Sequence, residues 1–390
     1  MTGNIDSKAP AKSNSYPPWA PRIWSGLRPR DHWDLLAENQ FSIHPSRYPM
    51  TGLVSIWSLF NAGMSLVQKI THQKRIDQTE IAEPPIFIIG HWRSGTTLLH
   101  ELLSLDSNFA YPSNLETFVP HHFLVSQPVV KPLLRWLLPG KRPMDNMSVA
   151  PDLPQEDEFA LLLLGAASHY RRMGFPGTTN EYFRYLDSQN LDPHQIKKFE
   201  RLLRYFFKSL TYKHGRRLVL KSPPHTGRIR SLANWFPGAK FVHISRDPFD
   251  VVPSTMRLWK IADDVHAYQK RRYSDVELLD YICRCKDVMY AAYHRDKVVL
   301  SENQLVEVRF GDLTANPVDT IRSIYESLEL DGFGQLEKAI EENFSNRREH
   351  KKNVHNIDSF VDRIAVEWSD YMQWFGYENR STNDQQSFVA

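Results

Sequence analysis

From residue 84 onward the chain alternates short apolar runs with stretches of helical periodicity. Ile86-Phe87-Ile88-Ile89 is an unbroken apolar run between Pro84-Pro85 and Gly90, and runs of that length mark strands buried on both faces. Behind it, Leu98, Leu99, Leu102 and Leu103 share one face of a helix. Leu218-Val219-Leu220 predicts a second strand. A helix carrying Ile196, Phe199, Leu203, Phe206 and Leu210 precedes it, and one carrying Ile229, Leu232, Ala233 and Phe236 follows. Phe241-Val242-His243-Ile244 predicts a third strand and Leu305 to Phe310 a fourth. Asn316-Pro317 then offers an N-cap and a first-turn proline to a helix bearing Ile321, Tyr325 and Leu328. Strands of this length separated by helices predict the α/β class, with an open parallel β-sheet covered by helices on both faces.

The flanks read differently. Residues 1–21 are polar and proline-rich and predict a disordered tail, with no apolar core of a signal peptide. Residues 22–83 predict an N-terminal helical region, 84–345 the main domain and 346–390 a C-terminal extension. Within the main domain, about 106–190 is rich in proline and aromatics. It reads as a helical and loop insertion over the carboxyl edge of the sheet, where open α/β sheets bind ligands. No residue between Arg47 and Lys69 is charged, and Leu53, Val54, Ile56, Trp57, Leu59 and Phe60 are strongly apolar. Thr51, Ser55, Ser58, Asn61 and Ser65 recur at helical spacing, so the segment predicts an amphipathic helix packed on the main domain. Contact of about 48–68 with a membrane surface, or with an apolar acceptor channel, is the lesser alternative.

Composition narrows the partners. The 390 residues carry a net charge of only +3, which does not suit a general nucleic-acid binder with its dense basic face. The two cysteines, Cys283 and Cys285, are one residue apart on a predicted helix and point in different directions, so they predict buried thiols rather than a disulfide. His121-His122 has no third ligand at readable spacing, and no metal is expected. The absence of signal, anchor and disulfide framework predicts a cytoplasmic protein, with peripheral membrane contact as the variant of that reading.

The central motif is Gly90-His91-Trp92-Arg93-Ser94-Gly95-Thr96-Thr97, between the first strand and its helix. Glycines five apart let the backbone wrap an anion, and the helix N-terminus adds free N–H groups and partial positive charge. The spacing matches the ATP/GTP loop except that Thr96 stands at the lysine position. The cation has moved inside the loop, to Arg93, which suits a nucleotide with a short 5′ chain better than a triphosphate.

A second candidate anion site follows the third strand: Ser245-Arg246-Asp247-Pro248, with Ser254 eight residues after Arg246. An arginine at a strand end and a serine on the next helix can converge on one phosphate, and the same arginine can equally pair with Asp247 or Asp250.

The stretch from Ile86 to Leu103 closely resembles the 5′-phosphosulfate loop of sulfotransferases that use 3′-phosphoadenosine-5′-phosphosulfate (PAPS). The likeness is greatest to the bacterial and tyrosylprotein-type branches, with their Arg-Ser-Gly-Thr-Thr. The resemblance implies that Arg93, Ser94, Gly95, Thr96 and Thr97 hold the 5′-phosphate and sulfate. It likewise implies that Arg246 and Ser254, with Arg257 a weaker addition, hold the 3′-phosphate, and it covers roughly residues 84–330. Two departures stand out. Phe310-Gly311-Asp312-Leu313 lacks the tyrosine hydroxyl and the glutamate common in the family. A basic closing loop over the 3′-phosphate has only Arg347, Arg348, Lys351 and Lys352 to draw on.

Sulfuryl transfer needs a cation at the leaving oxygen and a base near the acceptor hydroxyl. Lys221 ends the second predicted strand, where parallel strands bring their C-terminal ends together, and the family places a catalytic lysine at the matching strand end. For the base, Glu116 ranks first by its likeness to the glutamate of the tyrosylprotein branch. His225 ranks second by likeness to the cytosolic branch, and the cluster Glu156, Asp157 and Glu158 third. The expected enzyme thus transfers a sulfuryl group from PAPS to a hydroxyl or amine of a small-molecule or peptide acceptor, on a P-loop-like sheet. The competing readings are a P-loop kinase or NTPase and a nucleotide-binding module without turnover. Acceptor identity and oligomeric state have no signature in the chain.

Overall fold

The computed structural model describes residues 20–81, 83–137, 150–177, 182–346 and 360–379. The tail expected over 1–21 lies outside the described residues as far as 19, but Ala20 and Pro21 are buried, so composition set that boundary too late. Arg347, Arg348, Lys351 and Lys352 also lie outside the described residues.

The N-terminal region forms α1 (Pro29–Glu38) and the long α2 (Tyr48–Gln78). Then come β1 (Ile86–Ile89), α3 (Thr96–Leu103), β2 (Phe109–Ala110), α4 (Asn114–Phe118), α5 (Phe123–Leu137), α6 (Asp157–Leu163) and α7 (Pro193–His214). The middle of the chain continues with β3 (Arg217–Lys221), α8 (Ile229–Trp235), β4 (Lys240–Ser245), α9 (Pro248–His266) and α10 (Asp275–Asp296). It closes with β5 (Leu305–Arg309), α11 (Phe310–Ala315), α12 (Pro317–Ser327), α13 (Phe333–Asn346), α14 (Val361–Glu367) and α15 (Ser369–Phe375).

All five strands are parallel, in the order β2-β3-β1-β4-β5. The four strands expected from apolar runs are present. The fourth ends one residue short of expectation, at Arg309, because Phe310 opens α11 instead of closing β5. β2, a pair of residues inside the 106–190 segment, was not expected; it extends the sheet beyond β3.

Side chains alternate between the two faces, as strand geometry requires. Phe87, Ile89, Leu218, Leu220 and Phe241 join one apolar cluster with α7 to α10. Ile86, Ile88, Val219, Val242 and Ile244 join another with α3, α12 and α13. β1 lies between β3 and β4, so the chain's course reverses at its carboxyl end and opens a crevice there. Ile88 is in register with Lys221 and Ile89 with His243, which sets the residues after β1, β3 and β4 side by side.

Two regions differ from expectation. The described part of the C-terminal extension belongs to the core: Trp368, Tyr371, Met372 and Phe375 are buried, and Phe375 stacks on His243 of β4. α2 does pack on the body, but through a face that mixes polar and apolar side chains, with Ser58 and Asn61 of the polar stripe buried and Ser55 exposed. Val54, Ser58, Asn61, Gln68 and Ile76 are its buried residues.

Candidate active site

The loop after β1 takes a shape that ordinary residues resist. Gly90 has φ 142° and Gly95 φ 110°, and a Cβ on Gly90 would lie 2.4 Å from the Ile244 carbonyl oxygen. Arg93 itself adopts φ 68°, a left-handed conformation that costs a non-glycine residue roughly 1–2 kcal/mol. Thr226 fixes the loop's start, accepting from Gly90 N at 2.8 Å and donating to Gly90 O at 3.2 Å. Strain of this kind persists where the surroundings over-determine it, as at ligand clamps.

Arg93 Nε donates to Ser254 Oγ at 2.9 Å. The two segments singled out as separate anion sites therefore meet. Arg246 stands at the end of β4, where its Nη2 and Nε donate to Asp250 Oδ2 at 2.9 and 3.3 Å. Its guanidinium lies 4.4 Å from the centre of the Phe310 ring. The same ring occupies the space a Cβ on Gly95 would need. Phe310 thus lies between the two motifs and packs where the family's tyrosine was expected.

Lys221, at the end of β3, is 2% exposed. Its Nζ donates to Glu156 Oε1 at 2.6 Å. The other oxygen, Glu156 Oε2, accepts from the Tyr170 hydroxyl, and that hydroxyl oxygen accepts from Trp92 Nε1 at 2.9 Å. Burial first, then the Glu156 charge, raises the Tyr170 phenol well above its usual range. A continuous chain of hydrogen bonds therefore runs from the strand-end lysine to the loop.

The cluster ranked last for the base forms the most ordered arrangement. Three consecutive acids pair with three partners from the end of β3 and the turn that follows it. Glu156 takes Lys221, Asp157 Oδ2 accepts from His225 Nε2 at 2.8 Å, and Glu158 Oε2 accepts from Arg228 Nη1 at 2.6 Å. A short helical turn, Pro223–Arg228, carries the second and third partners. Ser168 Oγ donates to Glu158 Oε1 at 2.7 Å. The acids do not cap α6 through their side chains: Glu156 occupies the N-cap position with no such bond.

Glu116 is placed elsewhere. It closes a capping box at the start of α4, with Oε2 accepting from Ser113 N at 2.7 Å and Ser113 Oγ at 2.8 Å. Its Oε1 accepts from Lys213 Nζ at 2.7 Å and His214 Nε2 at 2.8 Å. Burial alone would raise this carboxyl, but His214 and Lys213 overcome it and hold the group at about 2. A carboxylate held this low accepts a proton poorly. His225, the second-ranked candidate, is fully buried; its Nε2 donates to Asp157, and its Nδ1 accepts from Arg228 at 3.3 Å.

The loop fits an anion. Ser94 Oγ is buried with no hydrogen-bond partner, although buried hydroxyls are normally satisfied. It sits beside the N-terminus of α3, where Thr96 and Thr97 begin the helix. Ser222 Oγ, after Lys221, is a second such atom. Among the described residues no group of three His, Cys, Asp or Glu side chains is placed to hold a metal. His121 Nε2 bonds to the Leu163 carbonyl, and His122 bonds to Ser126 and Asn61.

Fold and loop together define an α/β protein with an anion cradle at a strand-to-helix turn. Residues 84–334 match the Sulfotransferase family, and the chain belongs to that family. Over 364 residues, 93% of each chain, it is 32% identical to the omega-hydroxy-beta-dihydromenaquinone-9 sulfotransferase Stf3 of Mycobacterium bovis, and equally to that of Mycobacterium tuberculosis. Among solved structures, the sulfotransferase STF9 from Mycobacterium avium is similar with a TM-score of 0.62 at 17% identity, over 81% of this chain and 82% of that one. The sulfotransferase STF1 from Mycobacterium tuberculosis is similar with a TM-score of 0.57 at 15% identity, over 87% and 92% of the two chains.

Proposed function

We propose that this sulfotransferase takes its sulfuryl group from PAPS and delivers it to the hydroxyl of an apolar small molecule. The observation that carries the donor reading is the Arg93–Ser254 hydrogen bond, which joins the loop after β1 to the helix after β4. A donor with phosphate at both ends of one adenosine requires two neighbouring cradles.

Ser94, the first N–H groups of α3 and the hydroxyls of Thr96 and Thr97 bind the 5′ end, with Arg93 supplying the cation. Arg246 and Ser254 bind the 3′-phosphate. Asp250 engages only part of the guanidinium's five N–H donors. PAPS supplies an activated sulfuryl group and departs as the bisphosphate. Lys221 places its ammonium where charge builds on the leaving oxygen. Glu156 takes the proton of the acceptor hydroxyl. It is the member of its cluster that reaches solvent, with 14% of its side chain exposed against none for Asp157 and Glu158. Tyr170, itself held by Trp92, keeps its other oxygen in place.

The acceptor class follows from the 32% identical relative, whose name specifies an omega-hydroxy menaquinone derivative. The test is transfer of radiolabelled sulfate from PAPS to hydroxylated apolar acceptors. Product is expected with the wild-type chain and not with Glu156→Gln. Equal product from both would remove Glu156 as base, and no product from PAPS with any such acceptor would oppose the reading as a whole.

A further inference from the structure

α2 exposes a large part of its apolar surface. Its outward face carries Ile56 and Leu59, each 67% exposed, Leu66 at 59% and Ile70 at 76%. These positions follow helical spacing, and from Leu53 to Ile70 they make a ridge about 25 Å long. Its inward face holds Ser58, Asn61 and Gln68 beside Val54 and Ile76. Asn61 Nδ2 donates to the carbonyls of Ser25 at 2.7 Å and Leu27 at 2.9 Å. Gln68 Nε2 donates to the Tyr205 hydroxyl at 2.9 Å, and Gln68 Oε1 accepts from Leu124 N at 3.0 Å. α5 packs beside α2 and adds Trp136, 79% exposed.

Charge tells what covers this face. No Asp or Glu occurs between Glu38 and Asp77, whereas Arg47 precedes the ridge and Lys69, Lys74 and Arg75 end it. α5 likewise contains Lys131 and Arg135 and no acid, with Asp152 pairing both from outside the helix. Protein interfaces usually set both signs of charge in a polar rim. An apolar ridge with an aromatic flank and basic ends suits the headgroup boundary of an anionic bilayer.

We infer that α2 and α5 dock this enzyme on the surface of an anionic lipid bilayer, with α2 lying in the plane of the interface. α2 is long and apolar enough to cross a membrane, but crossing would strip Asn61 and Gln68 of their partners on the protein body. Lying flat keeps those bonds and buries only the outer ridge. The surface lies near the site: α5 packs on α4, and α4 on α6, whose N-cap is Glu156. The inference is independent of the donor assignment, so either can fail alone.

The experiment is co-sedimentation of the full chain with vesicles of phosphatidylcholine plus phosphatidylglycerol, and with phosphatidylcholine alone. Binding is expected to the anionic vesicles, weakening with salt and with removal of phosphatidylglycerol. Ile56→Glu combined with Ile70→Glu should lower the partition at least about tenfold, with thermal stability unchanged because both positions are exposed. Brominated lipid should quench Trp136, seen as a loss of quenching in Trp136→Phe. Failure of the wild-type chain to bind either vesicle overturns the inference. So does full binding by the double variant, or a concentration-dependent dimer that the double variant abolishes.

Discussion

Arg93 Nε and Ser254 Oγ lie 2.9 Å apart although 161 residues separate them in the chain. The contact arises because β1 and β4 are neighbours, so the loop after one and the helix after the other share the same sheet edge. Neither segment specifies it alone. Arg93 makes this contact from a left-handed backbone, φ 68°.

The pair Lys221–Glu156 is expected to govern turnover more than donor binding. Glu156→Gln, which keeps the shape of the side chain, should lower kcat by about 10²–10⁴. Affinity for 3′-phosphoadenosine-5′-phosphate (PAP) should remain near wild type. Lys221→Met should behave similarly. Single-turnover rates and PAP titration, measured side by side, separate the two effects; unchanged kcat in both variants would remove the pair from the chemistry.

Arg228 and Glu158 should matter for stability rather than chemistry. Both side chains are essentially inaccessible and joined by two hydrogen bonds, at 2.6 and 3.2 Å. Removing one partner of such a pair leaves a buried charge and costs about 3–5 kcal/mol. Arg228→Met should therefore shift urea unfolding strongly. Arg228→Met with Glu158→Gln should recover part of the loss. No recovery in the double variant would mean that the pair does not set the stability.

Glu116 gives a pH signature. Its folded-state value of about 2 lies below the ordinary carboxylate range, so the unfolded chain binds the proton more readily. Its contribution is complete above the unfolded pKa and disappears as pH falls through the folded one. Near neutrality it amounts to about 3 kcal/mol, at about 1.4 kcal/mol per pH unit. Glu116→Gln should thus be less stable at neutral pH, with the gap closing as pH falls from about 5 toward 2. Transfer by the folded variant should persist; loss of kcat without loss of stability would restore Glu116 as the base.

Much of the fold was legible because β1, β3 and β4 are apolar runs buried on both faces, and even the sheet-edge strand β5, where only Val308 is buried, keeps Leu305, Val306 and Val308. The anion loop was legible because its glycines and Arg93 are adjacent in the chain. What stayed hidden depends on long-range pairing. Phe109–Ala110 is too short to show periodicity, and its strand character comes from β3 beside it. The three acids Glu156 to Glu158 find Lys221, His225 and Arg228 only after folding. Helical spacing in α2 revealed two faces, but not that Asn61 and Gln68 turn inward, because that choice rests on Ser25, Leu27, Tyr205 and Leu124. Likewise Phe310 looked like a loss of a hydroxyl, whereas its ring packs between Gly95 and Arg246.

The most direct test of the account is thermal stabilisation of the purified chain by PAP, AMP and ATP, in wild type and Ser254→Ala. Stabilisation follows affinity for the folded state. PAP should stabilise the wild type far more than AMP does, and Ser254→Ala should reduce the PAP shift while leaving the AMP shift in place. Equal shifts from PAP and AMP, or a larger one from ATP with magnesium, would contradict a donor site built from the loop at Gly90–Thr97 together with Arg246 and Ser254.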